Sequence, residues 1–472
     1  MTTQALARRG GNDVARVIAV AVLICVAVGV AIGWNLGIYV TAAVVAAAGV
    51  LAARELVRRE VECSVLLLAG ASLFPIPQPA RTALLVGTVM TIVCVAVTDY
   101  VWPRGEGLRL AAAERIVLGG ILALDAAIVA GSVWSDHPEN IAPFLVGVTF
   151  STLFAWALYR RVQVVGPLPV AIGVAGASAL ASILILLRLG GLPLIGGAQT
   201  STYVDAKNVV VTALGDVNGQ ALVVTLGLPL ILAFALHTRT RGLLIVSVGG
   251  AVIAALALVV LLSRSSLIGA AIGLAVTTLL MARMSRRRAA AVLLLAVGVA
   301  GYFASGVERL SADTTNLQNR SVLWRTAGDF WHQSPWLGFG ADSWPRLIAE
   351  NVRWAPPQGD GGTHNLLLSA LVAGGVIGAA LTVALVVAVI VVGIRNLRLL
   401  RRTGERLRYA VVAGAFGAFT AQLVRGTFEA TGWPGSRTND LRTWAGVLVL
   451  AIVVLITSTP PERPQQGVEP GR

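Results

Sequence analysis

The residues of this sequence best suited to chemistry are a few arginines and one histidine placed just outside long apolar runs. Arg264 stands in Ser263-Arg264-Ser265-Ser266, a short polar break between two such runs. Arg320, Arg325 and Arg346 lie in a long tryptophan-rich segment, and His364 follows Gly359-Asp360-Gly361-Gly362-Thr363 at the head of the next run. A guanidinium presents a planar fork of donors that matches the oxygens of a phosphate or diphosphate. A neutral imidazole at a membrane–water boundary can accept a proton near physiological pH. Together these types suit transfer chemistry on a phosphorylated lipid. The plainer alternatives are arginines that snorkel to headgroup phosphates or pair with carboxylates such as Asp313, Asp329, Asp342, Glu350, Asp360, Glu429 and Asp440, and a histidine that merely starts a helix.

Other candidates carry less. His137, in Ser135-Asp136-His137-Pro138, reads as a turn residue, His237 as cytoplasmic and His332 as structural. Cys25, Cys63 and Cys94 show no Cys-x-x-Cys spacing, so neither a disulfide framework nor a zinc site is indicated. Asp125 is the one carboxylate well inside an apolar run, which weakens an ion-coupled transporter reading without removing it. Walker A, His-Glu-x-x-His and Gly-x-Ser-x-Gly patterns are absent, so nothing marks an ATPase, a zincin or a serine hydrolase. No metal site and no cofactor is expected.

The elements that must hold these residues are set by composition. Of 472 residues 56% are hydrophobic and only 13% charged, about half the charge of a soluble domain. Apolar runs close to the roughly 20 residues needed to cross a bilayer recur from residue 14 to residue 457. They are continuous, without a period of two, so helix is the spanning form. Spans are expected at about 17–33, 36–53, 61–76, 80–98, 115–134, 140–158, 166–187, 217–236, 242–262, 264–282, 289–306, 364–394, 408–428 and 441–457. The first follows Arg8, Arg9 and Arg16 and is read as an uncleaved span.

The net charge of +14 does not point to nucleic acid. Thirty-six arginines against one lysine, Lys207, fall mostly in short connections, the pattern of topology determinants and headgroup contacts. Alternating from a cytoplasmic N-terminus puts 25 of the 37 basic residues on the cytoplasmic side, including six in an expected loop at 395–408. Both termini are then cytoplasmic in a bacterial inner (plasma) membrane. Two longer segments, 188–216 and the 57 residues of 307–363, face outward. The second is too aromatic for disorder. It is expected to fold at the membrane surface, with an amphipathic helix over 319–333 that buries Val322, Leu323, Ala327, Phe330 and Trp331, and a second over 342–351. The fold class is an all-α polytopic membrane protein of about 14 (12–14) transmembrane helices with a folded external loop. Its parts are N-terminal spans over 1–187, central spans over 188–306, the loop 307–363, C-terminal spans over 364–457 and a cytoplasmic tail over 458–472.

Four blocks in order carry a resemblance. They are Asp216-Val217-Asn218-Gly219-Gln220-Ala221; Ser263-Arg264-Ser265; Asn319-Arg320-Ser321-Val322-Leu323-Trp324 with Ser334-Pro335-Trp336-Leu337-Gly338-Phe339-Gly340; and Thr363-His364-Asn365-Leu366-Leu367-Leu368 with Gly374-Gly375-Val376-Ile377-Gly378. Over roughly 216–380 the chain resembles the O-antigen ligase and polymerase superfamily. That resemblance implies a GT-C-like fold and a glycosyltransferase that moves a glycan from an undecaprenyl diphosphate carrier to an acceptor hydroxyl outside the cytoplasm. It further implies inversion at the anomeric carbon without a metal. Arg264 and Arg320 would bind the diphosphate leaving group, with Arg325 and Arg346 beside them, and His364 would activate or position the acceptor. The partners implied are an undecaprenyl-diphosphate-linked oligosaccharide, a glycan, lipid or protein acceptor, and membrane lipids. A peptidoglycan polymerase, a transporter or flippase of a lipid-linked or small-molecule substrate, and a scaffold remain as alternatives.

Overall fold

The structure is a computed structural model of the full chain, and it describes residues 112–135, 141–142, 144–145, 149, 156–159, 166–190, 217–238, 240–261, 263–282, 315–341, 343–350 and 363–429. Nine helices are assigned there: α1 Ala112–Trp134, α2 Leu168–Gly190, α3 Val217–His237, α4 Arg241–Val260, α5 Arg264–Met281, α6 Thr315–Gln333, α7 Ser343–Glu350, α8 Leu366–Thr403 and α9 Arg406–Gly426. All but α6 and α7 are long and apolar enough to cross a membrane, which makes seven candidate spans among the described residues. Apart from the C-terminal end of α8, their ends fall within a few residues of those read from the apolar runs. The spans expected at 17–33, 36–53, 61–76, 80–98, 289–306 and 441–457, and most of 140–158, lie outside the described residues.

Helix α3 is the hub. It packs against α2, α4, α5 and α9, while α8 packs against α1 and α9. Lipid tails are as apolar as leucine, so contact between spans depends on close van der Waals fit and on small residues. The α5–α9 seam is built that way. A methyl group at Gly269 would press on Ala421 O, and one at Gly273 would lie 2.6 Å from Gly417 O. At the far end of this seam Tyr409 Oη donates to Leu280 O at 2.8 Å.

Two expectations about α8 need correction. The basic stretch 395–408 is not a loop: α8 continues through Arg395, Arg398, Arg401 and Arg402 to Thr403, and left-handed Gly404 (φ 72°) ends it. Nothing before Gly404 stops the helix, because the intervening arginines and leucines are good helix formers. Nor is α8 continuous. Gly375 sits at φ 61°, ψ −158°, a conformation open only to glycine, and breaks the helix nine residues after it begins.

The break is repaired by the loop. Val376 N donates to Pro335 O at 2.8 Å and Ile377 N to Trp336 O at 3.4 Å; Phe339 N donates to Val372 O at 2.8 Å and Gly340 N to Ala373 O at 2.9 Å. Broken backbone at membrane depth is tolerated only where other protein groups satisfy it. From the α1 side, Ser132 Oγ accepts from Ala341 N at 2.8 Å. Gly131 leaves room there, since a Cβ would collide with Leu337 O. The segment 335–341 is therefore wedged between α1 and α8.

The rest of the loop packs on this wedge. Leu323, Ala327 and Phe330 of α6 form a cluster with Trp344, Leu347 and Ile348 of α7 and Val372 of α8. Phe330 meets Trp344 edge to face at 5.9 Å between centroids. The expected apolar stripe of α6 is right at Leu323, Ala327 and Phe330. Val322 is exposed and Trp331 only partly covered, while Thr326 completes the buried face. Helix α6 begins at Thr315 and α7 spans Ser343–Glu350, close to both expected helices.

Candidate functional site

One end of the bundle carries the arginines of α8 and α9 from Arg395 to Arg408. The opposite end gathers the starts of α3, α5 and α8 with the end of α9, and His364 lies there. It is not part of α8: Asn365 is the N-cap, with Oδ1 accepting from Leu367 N at 3.0 Å and Leu368 N at 3.1 Å. An N-cap asparagine is worth about 1 kcal/mol to a helix. The same side chain donates through Nδ2 to Thr427 O at 3.1 Å, which ties α8 to the chain leaving α9.

His364 is the one non-glycine residue with positive φ among the described residues, at 50°. That conformation costs an L-residue about 1–2 kcal/mol. It turns the ring toward the residues after α9, where His364 Nδ1 lies 3.0 Å from Glu429 Oε2. Asn218 Nδ2 donates to the same oxygen at 3.1 Å. With Glu429 ionised and the imidazole neutral, the carboxylate offers only lone pairs, so Nδ1 carries the ring proton and Nε2 keeps its lone pair. This is the tautomer a proton acceptor at Nε2 requires.

Glu429 also leads to Arg264. Ser263 Oγ donates to Ser266 Oγ at 2.9 Å and lies 3.3 Å from Asn218 Oδ1, a second acceptor for the same proton. Ser263 immediately precedes Arg264, the first residue of α5. Beneath this turn lies Arg425, fully buried, whose Nε donates to Ser266 Oγ at 3.1 Å and whose Nη2 donates to Asn218 O at 3.0 Å. Arg320 approaches from the loop. Trp324 Nε1 donates to Thr363 O at 3.1 Å, beside His364, and Arg320 is one turn earlier on the same face of α6.

The five residues singled out in the sequence are thus not equivalent. Hydrogen-bonded partners link His364, Arg264 and the Arg320 turn of α6. Arg325 is exposed on α6. Arg346 lies on α7, half-buried and 3.5 Å from Glu350 in an i,i+4 ion pair.

Glu429, Asn218 and Arg425 were not singled out as site residues. Each left a trace in the sequence. On the expected topology Arg425 is a cation at an external span end, where basic residues are disfavoured. Glu429 follows four residues later, and Asn218 sits in a quoted block that had no role.

A polytopic helical membrane protein with a cationic, histidine-bearing site at one end of its bundle is the class that this fold and geometry define. Residues 249–383 match the family model described as O-antigen ligase. The stretch contains Arg264, Arg320, Arg325, Arg346 and His364, and it ends before Arg425 and Glu429. A search of curated proteins finds no match to the chain.

Proposed function

We propose that this protein transfers a glycan from a polyprenyl-diphosphate carrier, undecaprenyl diphosphate by the family resemblance, to an acceptor hydroxyl on the outer face of the membrane. The arginine bias supports the sidedness: the end bearing Arg395 to Arg408 would be cytoplasmic and the His364 end external. In the reaction His364 Nε2 takes the proton of the acceptor hydroxyl as its oxygen attacks the anomeric carbon. The bond from that carbon to the diphosphate breaks, and the electron pair leaves with the phosphate oxygen. Arg264 and Arg320 neutralise the charge that develops there. Attack opposite the leaving group inverts the anomeric centre. Glu429 holds the Nδ1–H tautomer and stabilises the imidazolium as it forms.

The observation that carries this reading is the linkage of the family-matched Ser263-Arg264 turn and His364 through Asn218 and Glu429. Its test is release of undecaprenyl diphosphate from an undecaprenyl-diphosphate oligosaccharide by purified, reconstituted protein. His364→Ala, at matched folding, is expected to lower turnover by about 10²- to 10⁴-fold, the range of one general base. A fully active His364→Ala protein would overturn the mechanism.

Asp125 favours a second reading, transport. Its carboxyl group on α1 is buried, and Oδ1 has no hydrogen-bond partner among the described residues. Carboxylates at membrane depth mark substrate or proton paths. If the wild type proves inactive across donors and acceptors, Asp125→Asn in a flux assay is the deciding experiment.

A further inference from the structure

Asn218 takes no part in the bond changes above and precedes the family-matched stretch, yet three contacts from two neighbouring segments converge on it. Nδ2 donates to Glu429 Oε2 at 3.1 Å. Oδ1 lies 3.3 Å from Ser263 Oγ and shares that hydroxyl's one proton with Ser266 Oγ. Its main-chain carbonyl accepts from Arg425 Nη2 at 3.0 Å. It therefore touches both Glu429, the partner of His364, and Ser263, the residue before Arg264.

We propose that Asn218 is a positioning residue that fixes the proton-accepting edge of His364 and the Arg264 turn in a single register. The proposal rests on the transferase reading for its kinetic consequence and on geometry alone for its structural one.

A primary amide is the side chain that meets both demands. Toward Glu429 a donor is needed, because a carboxylate has lone pairs only; toward the Ser263 hydroxyl an acceptor is needed. Aspartate supplies the second and not the first, and alanine supplies neither. The amide orientation follows from the same requirement, since a flipped group would set Oδ1 against a carboxylate oxygen. The carboxylate of a glutamate rotates with little preference about its last bond. A second donor on Oε2 pins that rotation, and with it the direction in which Nδ1–H of His364 points. Arg425 fixes the backbone of Asn218, so the amide is held at both ends. The contact is partly buried, so water replaces a lost donor only in part, and breaking it carries a cost. The charged groups around this point among the described residues are Glu429, Arg425 and Arg264.

The test uses the reconstituted full chain and undecaprenyl-diphosphate oligosaccharide as donor. Asn218→Asp keeps the shape and the acceptor for Ser263 but removes the donor to Glu429. It is expected to lower kcat about tenfold or more, the scale of one buried hydrogen bond to a charged group, with donor KM within about twofold. Asn218→Ala also releases Ser263, so donor KM is expected to rise about threefold beside the same kcat loss. That variant keeps the proposal testable if the aspartate variant does not insert.

Nitrogen NMR of histidine-labelled protein reads the tautomer directly, with the His364 signal assigned by its loss in His364→Ala. The wild type should show Nδ1–H and Asn218→Asp a shift toward Nε2–H. Wild-type kcat with an unchanged tautomer in Asn218→Asp overturns the proposal, and so does a change confined to KM. A wild type that transfers no glycan while the tautomer still shifts leaves the positioning role standing and removes the transferase reading.

Discussion

Helix α8 is clamped twice, and the two clamps are made of different chemistry. At its start the ties are side chains: His364 to Glu429 and Asn365 to Thr427, bridging to the end of α9. Nine residues on, at Gly375, they are almost wholly backbone, four N–H groups and carbonyls exchanged with the segment 335–340. The first clamp can be changed residue by residue, because each side chain has its own partner and proton inventory. The second depends on backbone shape alone, so only residues that alter shape will disturb it. On the proposed function the first clamp would govern chemistry, whereas the second would govern where the loop helices sit and hence whether Arg320 reaches the site.

The backbone clamp should give the largest effect. Gly375→Val forces a β-branched residue into a region open only to glycine and drives its Cβ into the Trp336 carbonyl. Strain and displacement together should cost about 3 kcal/mol or more. Thermal melting in detergent and protease cleavage within 334–341 would read it. A protein that melts normally and keeps this segment protected would show that the break in α8 is not needed to seat the loop.

Glu429→Gln comes next and acts on the polar clamp without changing its size. A glutamine can present an N–H to Nδ1 and so favour the Nε2–H tautomer, which removes the base. Turnover should fall about a hundredfold or more, as when an orienting carboxylate becomes an amide, with melting little changed. Equal activity would mean that Glu429 holds the bundle together and does not direct the ring.

The two clamps also differ in how far the sequence betrayed them. Residues that are rare in their setting were legible: Arg264 and His364 stand out because cations and imidazoles at span ends have few reasons to be there. The apolar runs gave α1, α2, α3, α4, α5 and α9 nearly to their ends, since continuous hydrophobicity and bilayer thickness leave little choice. The backbone clamp was hidden. Gly374-Gly375 could be any close packing point, and a glycine pair does not say which distant segment fills the break. Glu429 was equally hard to single out, because 65 positions separate it from His364 and its acid could have paired with several arginines. Where α8 ends was misread for a simpler reason: basic residues mark a boundary of the membrane, not of the helix.

A smaller effect separates strain from contact within the polar clamp. His364→Gly and His364→Ala both remove the imidazole, and both should lack transfer activity. They differ in that alanine retains the cost of a left-handed backbone at φ 50° and glycine does not. The glycine variant should be the more stable of the two by about 1 kcal/mol. Equal melting would mean that the turn relaxes once the ring is gone, so that the ring's contact with Glu429 imposes the strain.

The smallest expected change sharpens the role of the loop. Arg325 neighbours Arg320 in sequence but is exposed on α6, while Trp324 and the turn that holds Arg320 are seated on Thr363. An exposed charge away from the site is ordinarily worth less than about 0.5 kcal/mol. Arg325→Gln should then leave turnover and donor KM within about twofold, whereas Arg320→Gln should lower turnover by about tenfold or more through loss of leaving-group stabilisation. Comparable losses in both would mean that the diphosphate lies along the exposed face of α6, and that the loop, not the end of the bundle, supplies most of its charge.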